Sequence, residues 1–382
     1  MKIGIVCYPT YGGSGVIATE LGKALAKKGH QVHFITYKEP VRLDTFSENI
    51  FYHEVGTFDY PLFQYQPYES ALASKIVDVV KFEKLDLLHV HYAIPHASAA
   101  YFAKQILKEQ GIHLPFITTL HGTDITLVGR DESYRPVVEF SMNNSDGITS
   151  VSESLKQDTL RYFDVKNHIE VIPNFIDFSR FKKTNKEHFK KAIAPNGEKI
   201  LIHVSNFRKV KRVEDVVQMF EIVLQKMPSK LLLVGDGPER MATENLCRSL
   251  KICDHVRFLG KQEAVEDLLA ISDLFVLPSE NESFGLAALE AMACEVPVIS
   301  SNAGGIAEVN INGETGFLSN VGDFEDMAKN ALFILEDEER LKQFKRKALA
   351  QAKRFDIENI LPHYEQFYDK ICGTTGWFDY VI

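Results

Sequence analysis

Cysteine is scarce in this chain and poorly placed for either of its structural uses. The five cysteines among 382 residues (Cys7, Cys247, Cys253, Cys294 and Cys372) are odd in number and never form a Cys-x-x-Cys pair, so neither a disulfide framework nor a zinc knuckle is expected. They read as reduced thiols, and the expected location is cytoplasmic. Long apolar runs are lacking too: no uncharged stretch reaches the roughly 18 residues of a membrane span. No leader-like segment is expected ahead of the strand-like Lys2-Ile3-Gly4-Ile5-Val6. Surplus positive charge is absent, since 43 basic against 52 acidic residues leave a net charge of −9, which gives no electrostatic case for a nucleic-acid partner. Neither nucleic acid nor membrane is therefore an expected partner; a homo-oligomer stays open.

What remains is ordinary globular material. Hydrophobic residues make up 45% and charged residues 25%, and 26 Phe with 14 Tyr exclude a mostly disordered chain. At about 150 residues per domain the length suggests two. Short Val/Ile/Leu-rich runs alternate with amphipathic stretches of helical period, the pattern of repeated β-α units on parallel sheets. One series of predicted strands covers 2–7, 31–36, 85–91, 115–120, 147–151 and 169–172. A second covers 199–205, 230–235, 256–260, 274–278 and 297–301, and after Asp323 the pattern is helical. Between the series lies a basic stretch (Arg180, Lys182, Lys183, Lys186, Lys190, Lys191), read as a solvated linker. The expected architecture is α/β, two doubly wound domains with ligand in the crevice between them, because such sheets bind at the carboxyl ends of their strands.

The first strand runs into Gly12-Gly13-Ser14-Gly15 and then a helix with Ile17, Leu21, Ala24 and Leu25 on one face. Glycines allow close backbone approach, and a helix amino terminus favours phosphate. The spacing Gly13-x-Gly15-x-x-Ala18 also fits a dinucleotide fingerprint, which keeps a dehydrogenase in view. However, four other residues separate strand from glycines, and no unambiguous acid closes the second strand. A tight turn needing glycine for backbone reasons alone is the plainer alternative.

In the second half, a predicted helix entered just after Glu282 is apolar on nearly every face except at Glu290. A carboxylate there needs a partner, and the vicinal hydroxyls of a ribose or hexose would serve, as would a buried Arg or Lys. Glu282 alone would suit a helix dipole equally well. Upstream, the strand ending at Ser205 empties into Asn206-Phe207-Arg208-Lys209-Val210-Lys211-Arg212, cations placed where such folds bind ligand; Lys211 or Arg208 is expected to face phosphate. His89, His91, His96, His121 and Asp124 could be read as a metallohydrolase cluster, although nothing else has metal-ligand spacing.

Together these features resemble the GT-B glycosyltransferases of family 4 over essentially the whole chain. The most specific element is Glu282-x7-Glu290, supported by the glycine loop, His121 and the Lys211 loop. The stretches Cys7-Tyr8-Pro9, Thr119-Leu120-His121-Gly122-Thr123-Asp124-Ile125-Thr126 and 205–212 narrow the resemblance to the branch that glycosylates L-malate at the start of bacillithiol biosynthesis. The resemblance implies two Rossmann-like domains facing a central cleft: 1–173 for the acceptor, with a terminal helix in 362–382 (including Trp377 and Phe378) returning to it, and 174–361 for the donor. It implies UDP-N-acetylglucosamine as donor, L-malate as acceptor and retention of the α configuration. Carried over by position, Glu290 holds the uridine ribose, Glu282 the sugar hydroxyls, Lys211 the diphosphate, Gly15 a phosphate through its backbone, and His121 the sugar near the reacting centre. Gly13, Asn206, Arg208, Phe284, Gly285 and Leu286 complete the donor contacts. The family usually has Arg where this chain has Asn206, which shifts the diphosphate's charge onto Lys211 and Arg208.

Malate is a dianion and calls for cations or hydroxyls. Lys75, on or beside the buried stripe of its helix, Arg42 after the second strand, Tyr92 after 85–91, and Ser14 are the candidates, each with a bland packing or surface alternative. No metal or other cofactor is expected. Other acceptors, soluble or lipid, and a non-catalytic nucleotide-sugar binder are the competing readings.

Overall fold

The structure is a computed structural model that describes residues 1–43, 47–57 and 62–373. The chain divides into two compact units, Met1–Asn174 together with the segment from Ile357, and Phe175–Asp356.

The first unit holds one parallel sheet of seven strands: β1 (Lys2–Val6), β2 (Gln31–Thr36), β3 (Ile50–Glu54), β4 (Leu87–His91), β5 (Phe116–Leu120), β6 (Gly147–Ser150) and β7 (Ile169–Val171), in the order β3-β2-β1-β4-β5-β6-β7. Every residue of β4, β5 and β6 is buried, as expected for strands covered by helices on both faces, and this is why they read as continuous runs. Val6, Leu88, Val90 and Phe116 pack with Leu72, Ile76 and Val79 of the helix Tyr68–Glu83, each such side chain contributing about 1.5–3 kcal/mol of burial. The sequence pattern missed β3, because this edge strand leaves Phe51 and Glu54 exposed and Tyr52 and His53 half-buried, so no apolar run marks it.

The second unit repeats the plan with β8 (Lys199–Val204), β9 (Ser229–Val234), β10 (Val256–Gly260), β11 (Leu274–Leu277), β12 (Val298–Ser301) and β13 (Gly316–Ser319), ordered β10-β9-β8-β11-β12-β13. Leu201, Leu231, Leu233 and Val276 pack against Val216, Val217 and Phe220 on one helix and Ala328 and Ala331 on another. The short β13, opening on a glycine, also went unpredicted. The basic stretch 180–191 is not the solvated linker expected of it. Arg180 bonds the Glu263 carbonyl at 2.8 Å, Lys186 pairs with Asp267 at 3.0 Å and Lys190 with Asp273 at 3.5 Å. These partners, the Glu263 carbonyl and the Asp267 and Asp273 carboxylates, lie just before, on and after the helix Val265–Ile271, too far along the chain to be seen locally.

The helix Ile357–Cys372 belongs to the first unit and starts five residues before the expected 362, with Pro362 inside it. Its Tyr364 and Tyr368 are fully buried, and Tyr368 Oη lies 2.7 Å from His89 Nδ1. Residues 374–382, and with them Trp377 and Phe378, lie outside the described residues. In each sheet the chain reverses its direction of growth once, between β1 and β4 and between β8 and β11; these two switch points are where open parallel sheets leave room for a ligand.

Candidate active site

At the first switch point, the loop after β1 leads into the helix Gly13–Lys27, which has no acid in its first turn and no side-chain cap. Its leading N–H groups are therefore left to whatever binds there. Gly15 is required by packing: a Cβ would lie 2.4 Å from the Tyr8 carbonyl oxygen and 2.6 Å from that of Thr10. Gly13 is exposed and Ser14 half-buried in the same turn. Across the switch point, Tyr92 follows β4 with φ of 87°. Its ring lies 5.2 Å from that of Tyr8 and 5.4 Å from that of His121.

His121 caps the carboxyl end of β5. Its turn is organised by buried Asp124, which accepts hydrogen bonds from the backbone N–H groups of Ala93 (3.1 Å), Gly122 (2.9 Å) and His121 (3.3 Å). Burial without a cation lifts the Asp124 carboxyl to about 6, against the pull of those amides. Nδ1 of His91 lies 2.8 Å from Nε2 of His121, and burial lowers the His121 imidazole to about 3, helped by His89 and His96. Tyr92 and His121 are thus brought together with the glycine loop. Lys75 is not: it sits beside His53 of edge strand β3 and pairs with Asp78 at 3.8 Å, two strands out from the switch point. Arg42 is half-buried beyond β2 at φ of 65°.

At the second switch point, the loop after β8 and the loop after β11 meet. Lys211 Nζ donates to Glu282 Oε1 at 2.5 Å, and Ser279 Oγ donates to the same oxygen at 2.7 Å. The two side chains are only 21% and 12% exposed. Both contacts fall on the same carboxylate oxygen, Oε1. The helix predicted to begin just after Glu282 starts only at Leu286. The intervening run is irregular because the Glu282 carbonyl accepts the Gly305 N–H at 2.7 Å and Gly285 turns at φ of 92°, where a Cβ would come 2.3 Å from Ile306 Cδ1. Glu282 is therefore held by Lys211 and Ser279 and is no dipole acid of that helix.

Phe284 is buried against Phe355, their centroids 5.5 Å apart; Leu286 and Glu290 are half-buried on the helix Leu286–Ala293. Arg208 and Asn206 are exposed, and Arg208 has no ion pair among the described residues. Arg212 is structural: it grips Asp215 (2.6 and 3.1 Å) and Glu280 (3.2 Å).

Sequence reasoning missed Ser279, and for His91 and Asp124 it offered only the alternative of a metal cluster, not the positioning contacts they make to His121. Of the histidines near β4 and β5, His91 bonds His121, His96 bonds the His91 carbonyl, and His89 bonds the hydroxyls of Thr119 and Tyr368. Among the described residues, three potential ligand side chains converge within 4.8 Å only at His33, His53 and Glu83. There the imidazole centroids are 5.2 Å apart, the rings 18° from parallel, and Nδ1 lies 3.0 Å from Nε2.

Known families match both units: Glycosyltransferase Family 4 over residues 11–180 and Glycosyl transferases group 1 over residues 184–351. A Bacillus anthracis protein described as N-acetyl-alpha-D-glucosaminyl L-malate synthase is 49% identical, the match covering 96% of this chain and 96% of the relative. A D-inositol 3-phosphate glycosyltransferase from Corynebacterium kroppenstedtii is 25% identical over 78% of this chain and 70% of its own. Among solved structures, Anabaena Alr3699/HepE in complex with UDP and glucose superposes with a TM-score of 0.81 at 20% identity, covering 96% of this chain and 99% of that one, a likeness of fold. No helix among the described residues is long and apolar enough to cross a membrane. The chain belongs to the GT-B glycosyltransferases of family 4.

Proposed function

We propose that the enzyme transfers N-acetylglucosamine from UDP-N-acetylglucosamine to the hydroxyl of L-malate with retention of the α configuration, the first step of bacillithiol formation, in the cytoplasm. The observation that carries the donor half is the Lys211–Glu282–Ser279 group at the β8–β11 switch point, in which both contacts fall on one oxygen of Glu282. The acceptor rests on the described activity of the Bacillus anthracis relative.

In this reading Lys211 and exposed Arg208 neutralise the diphosphate, Glu282 holds sugar hydroxyls and Glu290 the ribose. Asn206, Phe284, Gly285 and Leu286 line the donor. The leading N–H groups of the helix at Gly13 and Gly15 meet a phosphate, and His121 meets the sugar. Ser14 and Tyr92, beside the β1–β4 switch point, are taken as the acceptor contacts, with Arg42 beyond β2 as a further candidate; Lys75, paired with Asp78 near the sheet edge, is left out of the set. The bond from the anomeric carbon to the phosphate oxygen breaks as the bond to the malate hydroxyl oxygen forms on the same face, and the hydroxyl proton passes to the departing UDP. The protein's share is charge stabilisation and positioning. No metal is needed in this account: full activity in excess EDTA supports it, and loss restored by Mg²⁺ contradicts it.

The test is an acceptor panel read by mass spectrometry, with UDP-N-acetylglucosamine and malate, glycerate, inositol phosphate or no acceptor. Malate-dependent glucosaminyl-malate and UDP are expected. Product with another acceptor alone would leave the donor half standing and remove malate; donor binding without turnover in any mixture would favour a non-catalytic binder.

A further inference from the structure

The hydrogen bond between His91 and His121 has a direction that the surrounding atoms decide. His91 is fully buried in β4. Its Nδ1 faces His121 Nε2 at 2.8 Å, their ring centroids are 5.0 Å apart, and its Nε2 is enclosed with no hydrogen-bond partner among the described residues. A neutral imidazole carries one proton. Placed on Nε2 of His91, that proton would be a buried donor without an acceptor, an arrangement rarer and costlier than a bare ring nitrogen. The proton therefore sits on Nδ1 and is donated to Nε2 of His121. His121 then accepts at Nε2, and its own proton must be on Nδ1.

The rest of the cluster holds His91 in this role. His89 stacks on it with centroids 4.5 Å apart, and is itself anchored by Thr119 Oγ1 at 2.6 Å and Tyr368 Oη at 2.7 Å. His96 Nδ1 donates to the His91 backbone carbonyl. His121 is only half-buried, and its Nδ1 is not among the enclosed unpartnered atoms. Burial with like neighbours holds His91 well below its ordinary value, so the pair stays neutral at working pH.

We infer that His91 is a positioning residue that fixes His121 as its Nδ1–H tautomer, so that His121 offers the sugar a neutral hydrogen-bond donor. This rests on the glycosyl-transfer reading for its consequence, though not for the tautomer itself. The test uses full-length protein labelled with ¹⁵N-histidine and long-range ¹H–¹⁵N correlation, His121 being assigned by the signals lost in His121→Asn. Protonated Nδ1 and bare Nε2 are expected for His121 in the wild type. Proton on Nε2 overturns the inference whatever the activity.

In turnover, His91→Leu removes the donor and is expected to lower kcat about tenfold or more, the scale of one lost hydrogen bond of about 1.4 kcal/mol. KM for the UDP-sugar should change less than about threefold. His91→Asn, whose amide nitrogen replaces Nδ1, should recover most of kcat, and it keeps the test available if the leucine variant does not fold. Unchanged kcat in His91→Leu, or an asparagine variant no better than leucine, contradicts the positioning role. Absence of transfer in every variant alongside protonated Nδ1 removes the reaction reading and leaves the tautomer assignment standing.

Discussion

Lys211 and Glu282 lie 71 residues apart and share a proton-rich contact that neither would sustain alone in a half-buried setting. On the proposed account Lys211 is divided between that carboxylate and the diphosphate. Lys211→Ala is accordingly expected to lower kcat/KM for the donor by about 10²–10³, the usual scale for losing one charge-stabilising group. It should shift the melting temperature little, because a partly exposed ion pair contributes about 1 kcal/mol or less. Steady-state kinetics beside a thermal melt would show it; near-wild-type turnover contradicts the role. Glu282 and Glu290 stood out in the sequence through their spacing and apolar context, and the cations of 208–212 through their place at a strand's carboxyl end, but nothing local chose Lys211 over Arg208; the contact of Lys211 with Glu282 is made only by the fold. His91 and Ser279 did not stand out. His91 reaches His121 only through strand register, His91 lying opposite Thr119, and Ser279 acts through the folding back of a loop that no periodicity describes.

Among the elements, the helix Gly13–Lys27 depends most sharply on a single residue. Gly15→Ala would drive a Cβ into two backbone carbonyls at 2.4 and 2.6 Å, neither of which is a flexible side-chain end, so the loop after β1 must move. A destabilisation of about 1–3 kcal/mol and loss of most transfer are expected, measured by denaturant titration and product formation; a variant equal to wild type in both would show that the loop conformation is not what matters. The central strands were readable because burial on both faces makes them continuous apolar runs. Edge strand β3 and short β13 were not, and the helix after Glu282 was started three residues early, because a glycine at φ of 92° interrupts an otherwise helix-forming composition.

For the whole molecule, buried imidazoles govern the response to acid. Burial lowers His33, His96 and His203 to about 4 and His89 and His121 to about 3, with His91 well below 6.5. Between pH 6.5 and about 4 the unfolded chain binds protons at these six positions that the folded chain refuses, so stability falls as pH falls through that window. Asp124, raised to about 6, opposes this: over pH 6 to 3.8 the folded state holds a proton the unfolded state lacks. One carboxyl against six imidazoles leaves acid destabilising by several kcal/mol, since each tenfold difference in proton affinity between the folded and unfolded chain is worth about 1.4 kcal/mol. Melting temperature should drop steadily from pH 7 to pH 5; a flat or rising curve contradicts the buried neutral assignment. The two-unit plan was legible in the repeated β-α pattern. The return of the chain at Ile357 was not localised, since Pro362 reads as a boundary although the helix runs through it.

The measurement that bears most directly on the central claim is ¹H NMR of the purified enzyme with UDP-N-acetylglucosamine, followed as L-malate is added in excess EDTA. The account predicts that an anomeric doublet with the small coupling of an α-glycoside grows in step with UDP, and only once malate is present. Malate-independent UDP, a β-linked product, or no new anomeric signal would contradict it.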